Sequence, residues 1–433
     1  MSDDPQELID QAPMSAFQVR VVAIMIGLNA LDGFDVLSIS FASPGIAKAW
    51  GIDRAALGLV LSMELIGMAA GSLLLGRAAD RIGRRSTILA CLSVMAVGML
   101  GASFASGVVI LSAWRLLTGL GIGGMLAATN AAVSEVSSAA RRKLCVVLMA
   151  AGYPVGTIVG GSISAVLLRT FDWPAIFHFG ALATLCFVPI VFFGAPESIT
   201  FLLHKRPPDA LKRINDTLRK MRHPPISTLP PEALEHRSES VFALFAPERL
   251  RVTALLTIAY LAHIMTFYFI LKWIPKIVVD MGFVPAAAAG VLVWASVGGL
   301  LGSVLLGLLT GRIGLLKLTI GAMLCSIVLV VAFGQGQHSL HNLSMIAAAA
   351  GFFTNAGVVG LYALTALAFP TSLRGTATGF IIGIGRGGSA MAPALAGLLF
   401  AGGLGVAQVA ALMALGSLVG AIALIGLRGR VQA

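Results

Sequence analysis

The chain reads as an all-α membrane protein, twelve transmembrane helices in two pseudo-symmetric six-helix bundles, and three observations carry that reading. Its 433 residues are 58% hydrophobic and only 11% charged, with a mean hydropathy of +0.93, more apolar surface than a soluble fold buries. Apolar runs of about 20 residues or more recur along the whole length, each long enough to cross a hydrocarbon core about 30 Å thick as a helix. A segment of the first half also recurs in the second half at a shift of 231 residues.

The first span, 19–41, is apolar except for Asp32 and Asp35, which at i, i+3 share one helix face. The second, 56–76, carries Glu64, and a basic loop joins it to the third, 87–107. The fourth, 111–133, contains Arg115 and the run Gly119-Leu-Gly-Ile-Gly-Gly124. The fifth, 144–167, has Gly152, Gly156 and Gly160-Gly161, small residues that permit close helix contact, with Pro154 placed to kink it. The sixth is 175–194. A polar stretch, 196–251, then divides the spans six and six. It holds ten Lys and Arg and the proline pairs 207–208, 224–225 and 230–231, a linker with a short amphipathic helix around Asp209–Met221. The remaining spans are 252–272, 286–310, 315–333, 343–367, 376–400 and 404–427. Residues 1–18 read as an acidic N-terminal tail whose first residues are dispensable, and 428–433 as a C-terminal tail.

Charge placement orients the chain. With the N-terminus inside, 23 of the 30 Lys and Arg are cytoplasmic, four are external (Lys48, Arg54, Arg169, Lys276) and three are intramembrane (Arg115, Lys272, Arg386). That is the positive-inside bias, and it puts both termini in the cytoplasm. The net charge of +11 therefore reports topology and attraction to anionic lipid, and gives no support to nucleic-acid binding. The four cysteines are too widely spaced for a disulfide framework or a metal site. No phosphate-binding lysine loop, zinc-binding histidine motif or nucleophile elbow is present, so the reading is a carrier rather than an enzyme, with no cofactor and no metal.

Shifting by 231 residues pairs Gly67–Gly83 with Gly298–Gly314, with nine of the seventeen positions identical, the triplet Arg81-Ile-Gly83 among them. Two six-span repeats of one topology place a binding site at their interface near mid-membrane.

The junction of spans two and three, Gly76-Arg-Ala-Ala-Asp80-Arg81-Ile-Gly83-Arg84-Arg85, matches the loop signature of the major facilitator superfamily. In the second copy Gly311 stands where Asp80 does, so the latch there is weaker. The chain more narrowly resembles the aromatic acid:proton symporter branch. The resemblance rests on Asp32-Gly-Phe-Asp35, Ile9-Asp10 with Pro13-Met14, and Arg115 with its glycine run. Glu135 with Arg141-Arg142, Pro196-Glu197-Ser198, Arg374-Gly-Thr and Gly385-Arg386-Gly387 extend it. It implies the major facilitator fold and the import of a benzoate- or hydroxybenzoate-like anion with protons across the inner membrane.

The residues fit that role. Carboxyl groups at bilayer depth are costly and usually functional, so Asp32 and Asp35, with Glu64, are the proton-coupling candidates. Arg115 cannot discharge and needs a carboxylate; Asp32 or Asp35 is the expected partner. Arg115, Arg386 and Lys272 suit an anionic solute, with Lys272 either lining the cavity or reaching to the external interface. Tyr268, Asn355 and Tyr362 offer stacking faces and hydrogen bonds to a ring. Gly76, Asp80, Arg81, Gly83, Arg84, Arg85, Glu135 and Arg141 form a cytoplasmic latch. The expected partners are a small organic anion, protons and membrane lipid, and the carrier is expected to act as a monomer. A proton-coupled exporter and a transport-dead solute sensor are the alternatives.

Overall fold

The structure, a computed structural model, describes residues 4–230, 240–336 and 338–427. A short helix α1 (Pro5–Gln11) precedes the first bundle: α2 (Ala16–Trp50), α3 (Arg54–Ile82), α4 (Arg84–Ser103), α5 (Val108–Val136), α6 (Ala139–Leu167) and α7 (Pro174–Gly194). Two short helices follow, α8 (Ile199–Lys205) and α9 (Ala210–Lys220). The second bundle is α10 (Pro247–Asp280), α11 (Pro285–Ile313), α12 (Leu315–Gly334), α13 (Leu340–Ala368), α14 (Thr371–Ala401) and α15 (Val406–Ile425). Eleven of the twelve bundle helices are long and apolar enough to cross a membrane among the described residues. The twelfth is α14, whose Arg386 and glycine runs lower its hydropathy. The twelve-helix, two-bundle architecture expected from the sequence is the one observed.

Local signals set the helix ends. Ser15 and Gln18 form a reciprocal capping box that starts α2. The helix runs 35 residues, through Pro44, before Gly51 (φ 59°) ends it in the left-handed region. It therefore extends nine residues beyond the apolar run that suggested it. Likewise α10 continues past Lys272, through Pro275, to Asp280. The polar residues there look like a span end but lie within the helix.

The two bundles repeat one close contact. Gly67 and Gly71 of α3 lie against the carbonyls of Leu116 and Leu120 on α5, and Gly298 and Gly302 of α11 lie against those of Ala348 and Phe352 on α13. Any side chain at these glycines would strike backbone, so the repeat seen in the sequence is a repeat of helix packing.

The closest contacts between the bundles lie at one end. At the face away from the linker, Gly58 of α3 touches Pro393 and Gly397 of α14, Gly161 of α6 touches Val293 of α11, and Arg54 bridges to Asp280 at 2.8 Å. Ser62 Oγ accepts the Ala394 amide proton at 3.0 Å. Toward the linker face the helices diverge. Gly387, a heptad back from Ala394 on α14, and Gly383, Gly379 and Gly375 beyond it face open space: no atom lies within 4 Å of where a Cβ would sit. The molecule is thus shut at one face and open at the other.

Residues 5–18 are not a free tail. Ile9 is buried, Asp10 pairs with Arg142, and the Gln18 side chain donates to the Val136 carbonyl at 2.8 Å, so α1 is docked on the loop between α5 and α6. The helix α9 is amphipathic, burying Ala210, Ile214, Thr217 and Leu218.

Candidate transport site between the bundles

The site begins with an ion cluster in the half of the interface that is shut. Arg115, two turns into α5, is fully buried. Its guanidinium bonds Glu64 Oε1, donates to the Asp35 carbonyl at 2.8 Å, contacts Met99 Sδ at 2.9 Å and lies 5.4 Å from the Phe177 ring centroid. The expected partner was the Asp32/Asp35 pair; the observed partner is Glu64. The cause is the α3–α5 contact: Gly119, one turn beyond Arg115, brings α5 against the Glu64 backbone, placing that carboxylate beside the guanidinium.

Glu64 spends its other oxygen across the interface. Lys272 of α10 lies 3.3 Å from Glu64 Oε2 and also donates to the Val36 carbonyl of α2. All three charged side chains are 0% exposed. Of the two roles open to Lys272, reaching to the external interface is overturned: α10 continues two turns past it, and it is buried between the bundles.

Asp32 and Asp35 are buried, and none of their four carboxylate oxygens has a hydrogen-bond partner among the described residues. They turn inward within the first bundle. Asp35 Oδ1 lies against Gly180 of α7, and Asp32 is within electrostatic reach of Cys91 on α4. Of the three candidates, Glu64 is the one in direct contact with Arg115 and Lys272, while the two aspartates lie within its electrostatic reach without a hydrogen bond to it.

Toward the open face lies an aromatic group. Tyr260 and Tyr362 share a hydroxyl–hydroxyl hydrogen bond of 3.0 Å with ring centroids 5.5 Å apart. Tyr153 of α6 and Tyr268 of α10 lie within electrostatic reach of each other across the bundles. Arg386 is within electrostatic reach of Tyr260 and Tyr268 and donates to the Met68 carbonyl of α3 at 3.2 Å. All four tyrosines of the chain are in this group. Tyr153 escaped the sequence reading, where it is part of a Gly-Tyr-Pro bend; the signal that could have found it was the scarcity of tyrosine elsewhere. Asn355 is turned away. Its Nδ2 donates to the Gly299 carbonyl at 2.8 Å and to Ser303 Oγ at 2.7 Å, bracing α13 to α11.

The latch residues gather at the linker face, within the first bundle. Arg84 pairs with Glu135 at 3.2 Å, Glu135 also accepts a hydrogen bond from the Ser198 hydroxyl, and Glu197 accepts from the Arg85 amide at 3.1 Å. Gly83 turns the chain at φ 99°, with Gly314 its counterpart at φ 90°. Arg81 and Arg141 are exposed. The side-chain surroundings of Gly76 and Asp80 lie outside the described residues.

The comparisons with known proteins agree with this architecture. Residues 25–340 match the Major Facilitator Superfamily profile. The chain is 31% identical to the 4-hydroxybenzoate transporter PcaK of Pseudomonas putida, over 89% of this chain and 87% of that one. It is 28% identical to the gallate transporter of the same species, over 98% and 94%. Among solved structures it resembles the xylose transporter XylE from E. coli in a partially occluded inward-open conformation, with a TM-score of 0.73 at 16% identity, covering 97% and 99% of the two chains. The chain belongs to the major facilitator superfamily and is a multi-pass membrane transporter, not an enzyme.

Proposed function

We propose that the protein imports an aromatic carboxylate, of the benzoate or hydroxybenzoate kind, together with protons, by alternating access across the inner membrane. The observation that carries the reading is the convergence of all four tyrosines and Arg386 at the open side of the bundle interface. A planar ring with a carboxylate matches such a lining: the rings give stacking faces, the hydroxyls hydrogen bonds, and the guanidinium a fork for two carboxylate oxygens. The aromatic acids in the relatives' names point the same way.

In this reading the linker face is cytoplasmic, as the positive-inside bias indicates, and the conformation is inward-facing. Asp32 and Asp35 carry the protons. An unpaired carboxylate in an apolar interior costs several kcal/mol, and taking up a proton removes that cost. Arg115 links these groups to the interface through its bonds to the Asp35 backbone and Glu64. The docked α1 and the Arg84–Glu135–Ser198 cluster hold the cytoplasmic ends of the first bundle as one body while the halves rock.

Lightly buffered cells expressing the protein test the coupling. Addition of 4-hydroxybenzoate should alkalinise the medium as protons enter with the anion. Acidification would instead support the exporter, and no change would contradict coupling.

A further inference from the structure

Resting on the transport reading above, the geometry points to Lys272 changing partners during the cycle: Glu64 holds it while the outer half is shut, and the carboxylate of an incoming anion takes it when the outer half opens.

Lys272 is the only fully buried cation of the second bundle among the described residues, and both its partners, Glu64 and the Val36 carbonyl, belong to the first. The bundles cannot separate at this level without breaking both bonds. The neighbouring contacts between the bundles are apolar or backbone in character, as at Gly58–Pro393, Gly161–Val293 and Ser62–Ala394. The other ion pair joining the bundles, Arg54–Asp280, sits at the rim with side chains 34% and 24% exposed. The Glu64–Lys272 pair is therefore, among the described residues, the one ionic bond between the bundles that is sealed out of water.

The two ions differ in what they retain on opening. Glu64 keeps Arg115, its neighbour within the same bundle. Lys272 loses every partner it has and is left as an uncompensated ammonium at the outer mouth. An anion entering from that side meets it before it reaches Arg386, which lies deeper, below Tyr268. When the half closes, Glu64 reclaims the ammonium and the anion is left to Arg386 and the tyrosines. Closure thus moves the solute inward by substituting one carboxylate for another.

Two variants and two readouts test this. On a background with the four cysteines replaced, spin labels at Ser106 and His338 report the outer face, and labels at Lys143 and Lys317 report the linker face. Both Lys272→Met and Glu64→Gln should lengthen the outer distance and shorten the inner one, because either removes the lock. Their effects on 4-hydroxybenzoate uptake should then diverge. Lys272→Met should raise the KM measured from the outer side about tenfold or more, the weight of one charge-assisted contact, with a smaller rise from the inner side. Glu64→Gln, which leaves the ammonium free for the anion, should not raise the outer KM. Should Lys272→Met fail to fold, Glu64→Gln still decides: unchanged distances or a raised outer KM would overturn the proposal. Equal KM increases in both variants would reduce the pair to a structural contact. Distances that respond in both variants while the wild type ignores 4-hydroxybenzoate would uphold the lock and sink the aromatic-acid reading.

Discussion

Glu64 of α3 and Lys272 of α10 form a dry ion pair between the two bundles, Nζ 3.3 Å from Oε2, with both side chains 0% exposed. Arg54 and Asp280 make a shorter bridge at the rim, 2.8 Å, but remain in reach of solvent. Burial decides which of them matters more. A solvated surface pair contributes about 0–1 kcal/mol, whereas removing one partner of a buried pair costs about 3–5 kcal/mol.

Arg54→Gln should therefore have little effect. Initial uptake should remain within about twofold of wild type, and thermal unfolding in detergent should shift by no more than a few degrees. A collapse in either measurement would show that the rim bridge, not the buried pair, holds the outer half shut.

Arg115→Lys keeps the charge and loses the fork. The guanidinium reaches Glu64, the Asp35 carbonyl and Met99 at once, which a single ammonium cannot do. Uptake should fall about tenfold or more, the size expected when a charged hydrogen bond is lost. Near-normal uptake would mean that only the charge is needed.

Gly298→Val places a branched side chain against the Ala348 carbonyl, where α11 and α13 touch. Overpacking of that kind costs about 1–3 kcal/mol, read as a lower unfolding midpoint and reduced yield. Gly307→Ala on the same helix is the contrast. Nothing lies within 4 Å of a Cβ there, so the change should be neutral or stabilising by up to about 1 kcal/mol.

Ile9→Ala tests the docked N-terminal helix. Ile9 is 1% exposed, and trimming such a side chain costs about 2 kcal/mol or more. Hydrogen exchange should quicken across residues 5–11 while α5 and α6 stay protected. Unchanged exchange would return the segment to the tail that its polarity suggests.

Much of the fold was legible because membrane spans are written in length and hydropathy, signals that need no partner. The close pairing of α3 with α5 and of α11 with α13 was also visible, as the Gly67–Gly83 repeat at Gly298–Gly314. The sequence was less informative wherever the answer depended on which face of one helix meets which face of another. It placed Arg115, Glu64 and two aspartates at similar depth but could not say that Gly119 draws Glu64, rather than Asp32 or Asp35, to the guanidinium. Lys272 looked terminal because Pro275, Lys276 and Asp280 resemble the end of a span; in the structure α10 carries straight on, and Lys276 pairs with Asp280 one turn later. Asn355 had the right chemistry for a ligand, but Gly299 and Ser303 use both its amide protons.

Uptake into proteoliposomes under an imposed pH gradient, acidic outside, tests the central claim most directly. The wild type should accumulate labelled 4-hydroxybenzoate above its external concentration and lose that accumulation when an ionophore collapses the gradient. Asp35→Asn should still exchange label across the membrane at equal concentrations but no longer accumulate it. Uphill accumulation by Asp35→Asn equal to wild type, or wild-type uptake indifferent to the gradient, would contradict proton coupling through the first helix.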